Sequence, residues 1–355
     1  MKKLILLICL AILSFSSFAS IKRIKENLVL VEGGELKVDE INEYLLEDPQ
    51  KDISINYNYY VSKYEFTRRD WEEMYNKKFK YSFKNLDYFF AEEYEKELND
   101  SLKISDYEKP LVYISWMEAI EICNKLSLLD KLPVAYDKKG SLLDKNGKIT
   151  NDITKVKGYR LLTWAEWQFA AQGGKKSKGY KYSGGNDLNE VSWNYNNSFA
   201  SPKKVGLKKA NELGLYDMTG NVSEMCTDYL NSKVFNVNPV GLKPLKDLLW
   251  RYQLFNFNTI VTRAVKGGSI MRHSFERDNE DYEIFVDEDG CEYVLKDSLA
   301  FGNNFSYDLD AITWIWDESA LEVGTGGPGN RAWELGAGFN SKQSYIGFRI
   351  GRTAN

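Results

Sequence analysis

Apolar and polar positions alternate along this chain with two different periods, and the switches between them mark out its elements. LVLVEGGEL (Leu28 to Leu36) alternates with period two and stops at Gly33-Gly34, which predicts a strand running into a turn. VSKYEFT (Val61 to Thr67) alternates again and predicts a second strand. Thr67, with Asp70 three residues on, then predicts a capped helix whose buried side carries Trp71, Met74 and Tyr75. Leu111 to Ile114 predicts a third strand. It is followed by a capping box, Ser115 with Glu118, and by Trp116, Ala119, Ile120, Cys123 and Leu126 at helical spacing on one face. A further capping box, Thr163 with Glu166, opens a helix that carries Trp167, Ala170 and Ala171 inward and ends at Gly173-Gly174. LGLYDMTGNVSEMCTDY (Leu213 to Tyr229) has neither period: Gly, Asp, Asn and Glu stand between apolar residues at turn-like intervals.

The N-terminus reads as a processing segment. Lys2 and Lys3 precede the apolar run Leu4 to Leu13, and Ser17-Phe18-Ala19 forms a small-x-small cleavage site, so residues 1–19 are expected to be a signal peptide. The run is too short to span a bilayer, and no later stretch approaches that length, so no transmembrane segment is expected. These features predict an exported protein, periplasmic or extracellular. Cleavage removes two lysines and leaves 45 basic against 51 acidic side chains, a balance of −6. That balance does not suggest nucleic acid as a partner. Length alone would favour two domains, but no Pro/Ser/Gly-rich linker interrupts the chain, and residues 20–355 are expected to form one domain. Three cysteines survive cleavage: Cys123, Cys226 and Cys291. An odd number leaves at least one thiol unpaired within a monomer. His273 is the chain's single histidine.

Two blocks, GYRLLTWAEWQFAAQGG (Gly158 to Gly174) and Leu213 to Tyr229, resemble the formylglycine-generating enzyme family, also called sulfatase-modifying factors. The resemblance extends to the opening LVLVEGGEL, to KPLVYISWMEAIEICNKLS, to KGGSIMRHSF (Lys266 to Phe275) and to the closing NRAWELGAGFNSKQSYIGFRIGR. It covers nearly the whole mature chain in family order. The fold it implies is a mixed α/β (α+β), loop-rich, C-type-lectin-like fold with paired termini. Two stretches, near residues 231–262 and 277–329, read as insertions; the second holds the acidic FVDEDGCEY and the aromatic ITWIWDES. Locally the chain departs from the family pattern at Leu162, Trp164, Ser223 and Met225.

The family's oxidation of a substrate cysteine needs a copper ion held by two thiolates shortly after the GGS strand. The matching places here are Arg272 and Arg277, and guanidinium groups repel a cation. Cys123 and Cys226 fall at core positions of their segments, and Cys291 stands alone in the acidic insertion. A related oxygenase branch holds iron with three histidines, which a chain with one histidine cannot supply. No GxSxG elbow is present to suggest a serine hydrolase. Neither copper nor iron is therefore expected. The resemblance also implies a structural calcium ion, held by the Asp217 and Glu224 carboxylates and the Gly220 and Val222 carbonyls. The resulting expectation is a non-catalytic domain that binds a protein or glycan ligand through loops on a lectin-like scaffold. The alternatives are a metal-dependent oxidoreductase with relocated ligands, and a structural subunit of an envelope assembly.

Overall fold

A computed structural model describes residues 21–36, 53–81, 96, 99–100, 103, 106–199, 201–229, 262–267, 282–286, 292–296, 335–338 and 346–354. The expected signal peptide, Arg272, His273, Arg277, Cys291 and most of both expected insertions lie outside these residues. Among the described residues no helix is long and apolar enough to cross a membrane.

The first sheet is built from β1 (Leu28–Val31), β4 (Tyr59–Ser62), β5 (Arg160–Leu161) and β12 (Ile350–Thr353), in the order β1-β4-β12-β5. All of its pairings are antiparallel. The first and last strands of the chain thus flank the same partner, β4, which is the pairing of termini that the family resemblance implies. β2 (Glu35–Leu36) and β3 (Ile53–Ser54) add a short ribbon. The second sheet holds β6 (Ser223–Tyr229), β7 (Thr262–Lys266), β10 (Leu335–Gly338) and β11 (Ile346–Phe348), in the order β10-β7-β6-β11. β11 runs parallel to β6 with Gly347 opposite Glu224. Only Arg349 separates β11 in this sheet from β12 in the other, so the chain's last strands tie the two sheets together. Within the second expected insertion, β8 (Tyr282–Val286) and β9 (Glu292–Lys296) pair antiparallel, with Tyr282 opposite Lys296 and Val286 opposite Glu292.

All three expected helix starts are present: α1 (Arg68–Tyr75), α2 (Trp116–Leu129) and α3 (Trp164–Ala171) follow Thr67, Ser115 and Thr163, each a reciprocal capping box. An N-cap side chain of this kind contributes about 1 kcal/mol. α2 packs Trp116, Ala119, Ile120, Cys123 and Leu126 into the larger apolar cluster. α3 is buried on every side and centres a second cluster with Val31, Tyr59, Met218 and Cys226.

Two expected strands differ from expectation. The strand placed at Val61 to Thr67 ends at Ser62, where the Ser62 hydroxyl donates to the Tyr64 carbonyl at 2.8 Å and turns the chain. Leu111 to Ile114 forms no strand, because Tyr113 takes a left-handed backbone (φ 55°) that no ladder accommodates. Tyr113 instead sets its ring edge-on against Tyr81.

Candidate functional site

The aperiodic Leu213 to Tyr229 block becomes a chain of turns followed by β6. Four residues in it, Gly214, Asp217, Gly220 and Asn221, hold positive φ. Glycine adopts that geometry freely, and Asp and Asn tolerate it better than other residues. The buried Asn211 clamps the start of the run: its side-chain oxygen accepts from the Leu213 and Leu215 amides, and its amide donates to the Ala170 carbonyl at 2.8 Å. This seats the turns against α3.

The turns deliver charged side chains into the interior, where the two sheets meet. Glu224 on β6 and Arg349 between β11 and β12 are both buried. Arg349 Nε donates to Glu224 Oε1 at 3.1 Å and to Oε2 at 2.9 Å, and its Nη2 donates to Oε1 at 2.7 Å. Nη1 donates to the Ser62 carbonyl at 2.9 Å and Nη2 to the Tyr216 carbonyl at 2.8 Å. Trp167 Nε1, from α3, donates to Glu224 Oε2 at 2.7 Å. One guanidinium therefore joins β4, β6, the turn run and the C-terminal strands. Beside it, Glu65 accepts from the Asn221 side-chain amide at 2.6 Å and from the Val222 amide at 3.1 Å. Asp217 accepts from the Gly206 amide at 2.7 Å, while its second oxygen, Oδ1, is buried without a hydrogen-bond partner among the described residues.

Burial pushes the Asp217 carboxyl up to about 6, and the nearby Glu224 adds to the rise. Burial also pushes Glu65 well above the carboxylate range, helped by repulsion from Asp217 and Glu224. Both groups hold a proton more tightly folded than unfolded. Their stabilising contribution is therefore full at low pH and, for Asp217, is lost as pH rises through about 6. A second buried pair sits at the mouth of α3. Arg160 grips Glu166 with two bonds of 2.7 and 2.6 Å, and Tyr57 donates to the same carboxylate at 2.9 Å.

These contacts decide how well the expected calcium ligands suit an ion. A carboxylate has about four lone-pair positions, and Glu224 already accepts three contacts from Arg349 and one from Trp167. It has none left for a cation while those partners stay. Asp217 keeps one oxygen without a partner among the described residues. Gly220 and Val222 lie on the same turn run. Among the described residues no group of three or more Asp, Glu, His or Cys side chains is arranged to hold a metal.

The thiols are equally committed. Cys123 and Cys226 are fully buried and belong to different apolar clusters. Burial pushes the Cys123 thiol far above its ordinary range, the reverse of what a metal-binding thiolate needs. Residues 15–293 match the family description "Sulfatase-modifying factor enzyme 1-like domain". The chain belongs to this family. It is 32% identical over 250 residues to "Chaperone protein LppX" of Paenibacillus barcinonensis, a match covering 63% of this chain and 79% of LppX. A shorter stretch of 72 residues is 42% identical to the serine/threonine-protein kinase Pkn1 of Chlamydia trachomatis, covering 20% of this chain and 11% of the kinase. Among solved structures, "Treponema denticola variable protein 1" aligns with a TM-score of 0.54 at 20% identity over 92% of this chain and 95% of its own. CarF aligns with a TM-score of 0.50 at 19% identity over 93% of this chain and 98% of its own. The fold is thus the C-type-lectin-like fold of the family, as the motifs imply.

Sequence reasoning missed the partners of Glu224. Arg349 was legible only as part of a closing GFR strand, and Glu65 sits unremarked in KYEF, a lone carboxylate between aromatic residues. A charged residue within an apolar alternation is the one sequence signal that could have marked it.

Proposed function

We propose that this chain is an exported, non-catalytic member of the sulfatase-modifying factor family that binds a polypeptide or glycan ligand through loops on its lectin-like scaffold. The observation that carries the reading is the placement of Cys123 and Cys226, each buried in a different apolar cluster, with burial raising the Cys123 thiol away from the thiolate that a metal needs. Arg272 and Arg277, at the places of the family's copper thiolates, support it from the sequence. The name of the LppX relative, a chaperone protein, favours a polypeptide over a glycan. The buried Glu224–Arg349 network gives such a domain a rigid frame, because it fixes both sheets and the turn run to one guanidinium.

Metal analysis of the purified chain tests this reading. Copper, iron and calcium are each expected well below one equivalent per chain. A full equivalent of copper lost in Cys291→Ser would establish relocated ligands and overturn the non-catalytic reading. A full equivalent of calcium lost in Asp217→Ala would show that an ion draws Glu224 away from Arg349.

A further inference from the structure

The chain is acidic overall, yet its positive charge is concentrated. Between Lys175 and Lys209 it carries eight lysines, and Asp187 and Glu190 are the only acidic residues in that span. The lysines fall in two loops, residues 175–181 and 203–209, and the first of these lies against residues 210–212, which follow the second. The Lys178 amide donates to Glu212 at 2.9 Å, and a side chain on Gly184 would strike the Ala210 carbonyl at 2.7 Å. Three lysines have a carboxylate partner: Lys175 with Glu32, Lys204 with Glu108 and Lys209 with Glu190. Lys176, Lys178, Lys181, Lys203 and Lys208 have none among the described residues, and four of them rest on aromatic rings instead.

The second observation is apolar. Phe199, just before the second loop and with Lys203 Nζ 5.7 Å from its ring centre, is 90% exposed, and Leu207 within that loop is 58% exposed. The loop is not slack. Lys203, Val205, Gly206 and Lys209 each donate a backbone amide to an acceptor elsewhere in the fold: Asn221, Glu108, Asp217 and Glu190. Phe199 is held at φ 53°, a conformation a bulky residue rarely adopts. A tethered loop that presents a phenylalanine and a leucine to water among lysines is built to meet something.

We propose that this face docks on an anionic phospholipid surface, with Phe199 and Leu207 entering the headgroup layer and the lysines lying over its phosphates. Apolar side chains flanked by lysines match an interface that is apolar below and negative above. A soluble polyanion would satisfy the lysines but leave Phe199 and Leu207 in water. The eight positions are all lysine rather than arginine, which suits a diffuse negative field better than bidentate recognition of individual phosphates.

Co-sedimentation of the full chain with vesicles tests the proposal. Binding is expected with equal parts phosphatidylcholine and phosphatidylglycerol, and not with phosphatidylcholine alone, and it should weaken as salt rises. Lys203→Gln and Lys208→Gln should each weaken binding about fivefold. Phe199→Ser should also weaken it but leave the salt dependence unchanged. Phe199 is exposed, whereas Lys203 and Lys208 are half-buried and the Lys208 Nζ also donates to the Asn189 carbonyl at 2.6 Å, so the unfolding midpoint of each variant is compared with the parent, and Lys138→Gln with Lys139→Gln, on a different loop, should bind like the parent. Binding that ignores lipid charge would overturn the proposal. So would unchanged binding in the Lys203 and Lys208 variants, or retention on a soluble polyanion without vesicle binding.

Discussion

Replacing Arg349 by alanine is expected to cost about 3–5 kcal/mol of folding stability, the usual penalty for stranding the other member of a buried ion pair. Glu224 would lose three of its four contacts while remaining buried, and the Ser62 and Tyr216 carbonyls would lose their donors. Glu65 and Asp217 would lose the cation that offsets their mutual repulsion. The double variant Arg349→Met with Glu224→Leu removes both charges and keeps most of the volume. It should recover a large part of the loss, because an apolar pair needs no compensating partner. Denaturant unfolding of the parent, both single variants and the double variant measures this directly. A loss below about 1 kcal/mol in Arg349→Ala would mean that water reaches the pair and that the hub does not hold the sheets together.

Gly220→Ala is expected to destabilise the fold by about 2–5 kcal/mol, combining the penalty for a left-handed alanine with forced overpacking. Gly220 has φ 78°, and a Cβ there would lie 2.2 Å from both the Ser192 hydroxyl and the Trp193 carbonyl. Its amide also donates to the Gly267 carbonyl at 2.8 Å, so the backbone cannot easily move aside. Gly147→Ala is the matched control. It has nearly the same φ, 76°, with nothing within 4 Å of the added methyl, so only the backbone strain of roughly 1–2 kcal/mol should appear. Equal losses at the two positions would show that strain, and not the close approach to Trp193, fixes this glycine.

The fold was legible because its cues are local. Thr67, Ser115 and Thr163 each announce a helix through a partner three residues away, and each helix begins where its capping box places it. The strand at Leu111 to Ile114 failed for the opposite reason: an apolar run says nothing of a left-handed Tyr113 imposed by packing against Tyr81. The hub was legible only in half. Glu224 and Asp217 stand out in their segment, but Arg349 lies 125 residues from Glu224 in sequence, and Glu65 lies 156 residues from Asn221. No local pattern signals those pairings, so Arg349 and Asn221 could not be read from the sequence as the partners of Glu224 and Glu65. Net charge misled in a similar way, since a balance of −4 over the whole chain conceals the basic loops at Lys175 to Lys181 and Lys203 to Lys209.

We propose that this sulfatase-modifying factor domain lacks the family's oxidation chemistry. A sulfatase-type peptide containing cysteine, incubated with the copper-treated protein and a reductant, followed by mass spectrometry, tests it most directly. Two thiolates are needed to hold Cu(I), Cys123 and Cys226 are buried in different apolar clusters, and the peptide is expected to keep its thiol. Conversion of that cysteine to formylglycine, abolished by Cys291→Ser, would contradict it.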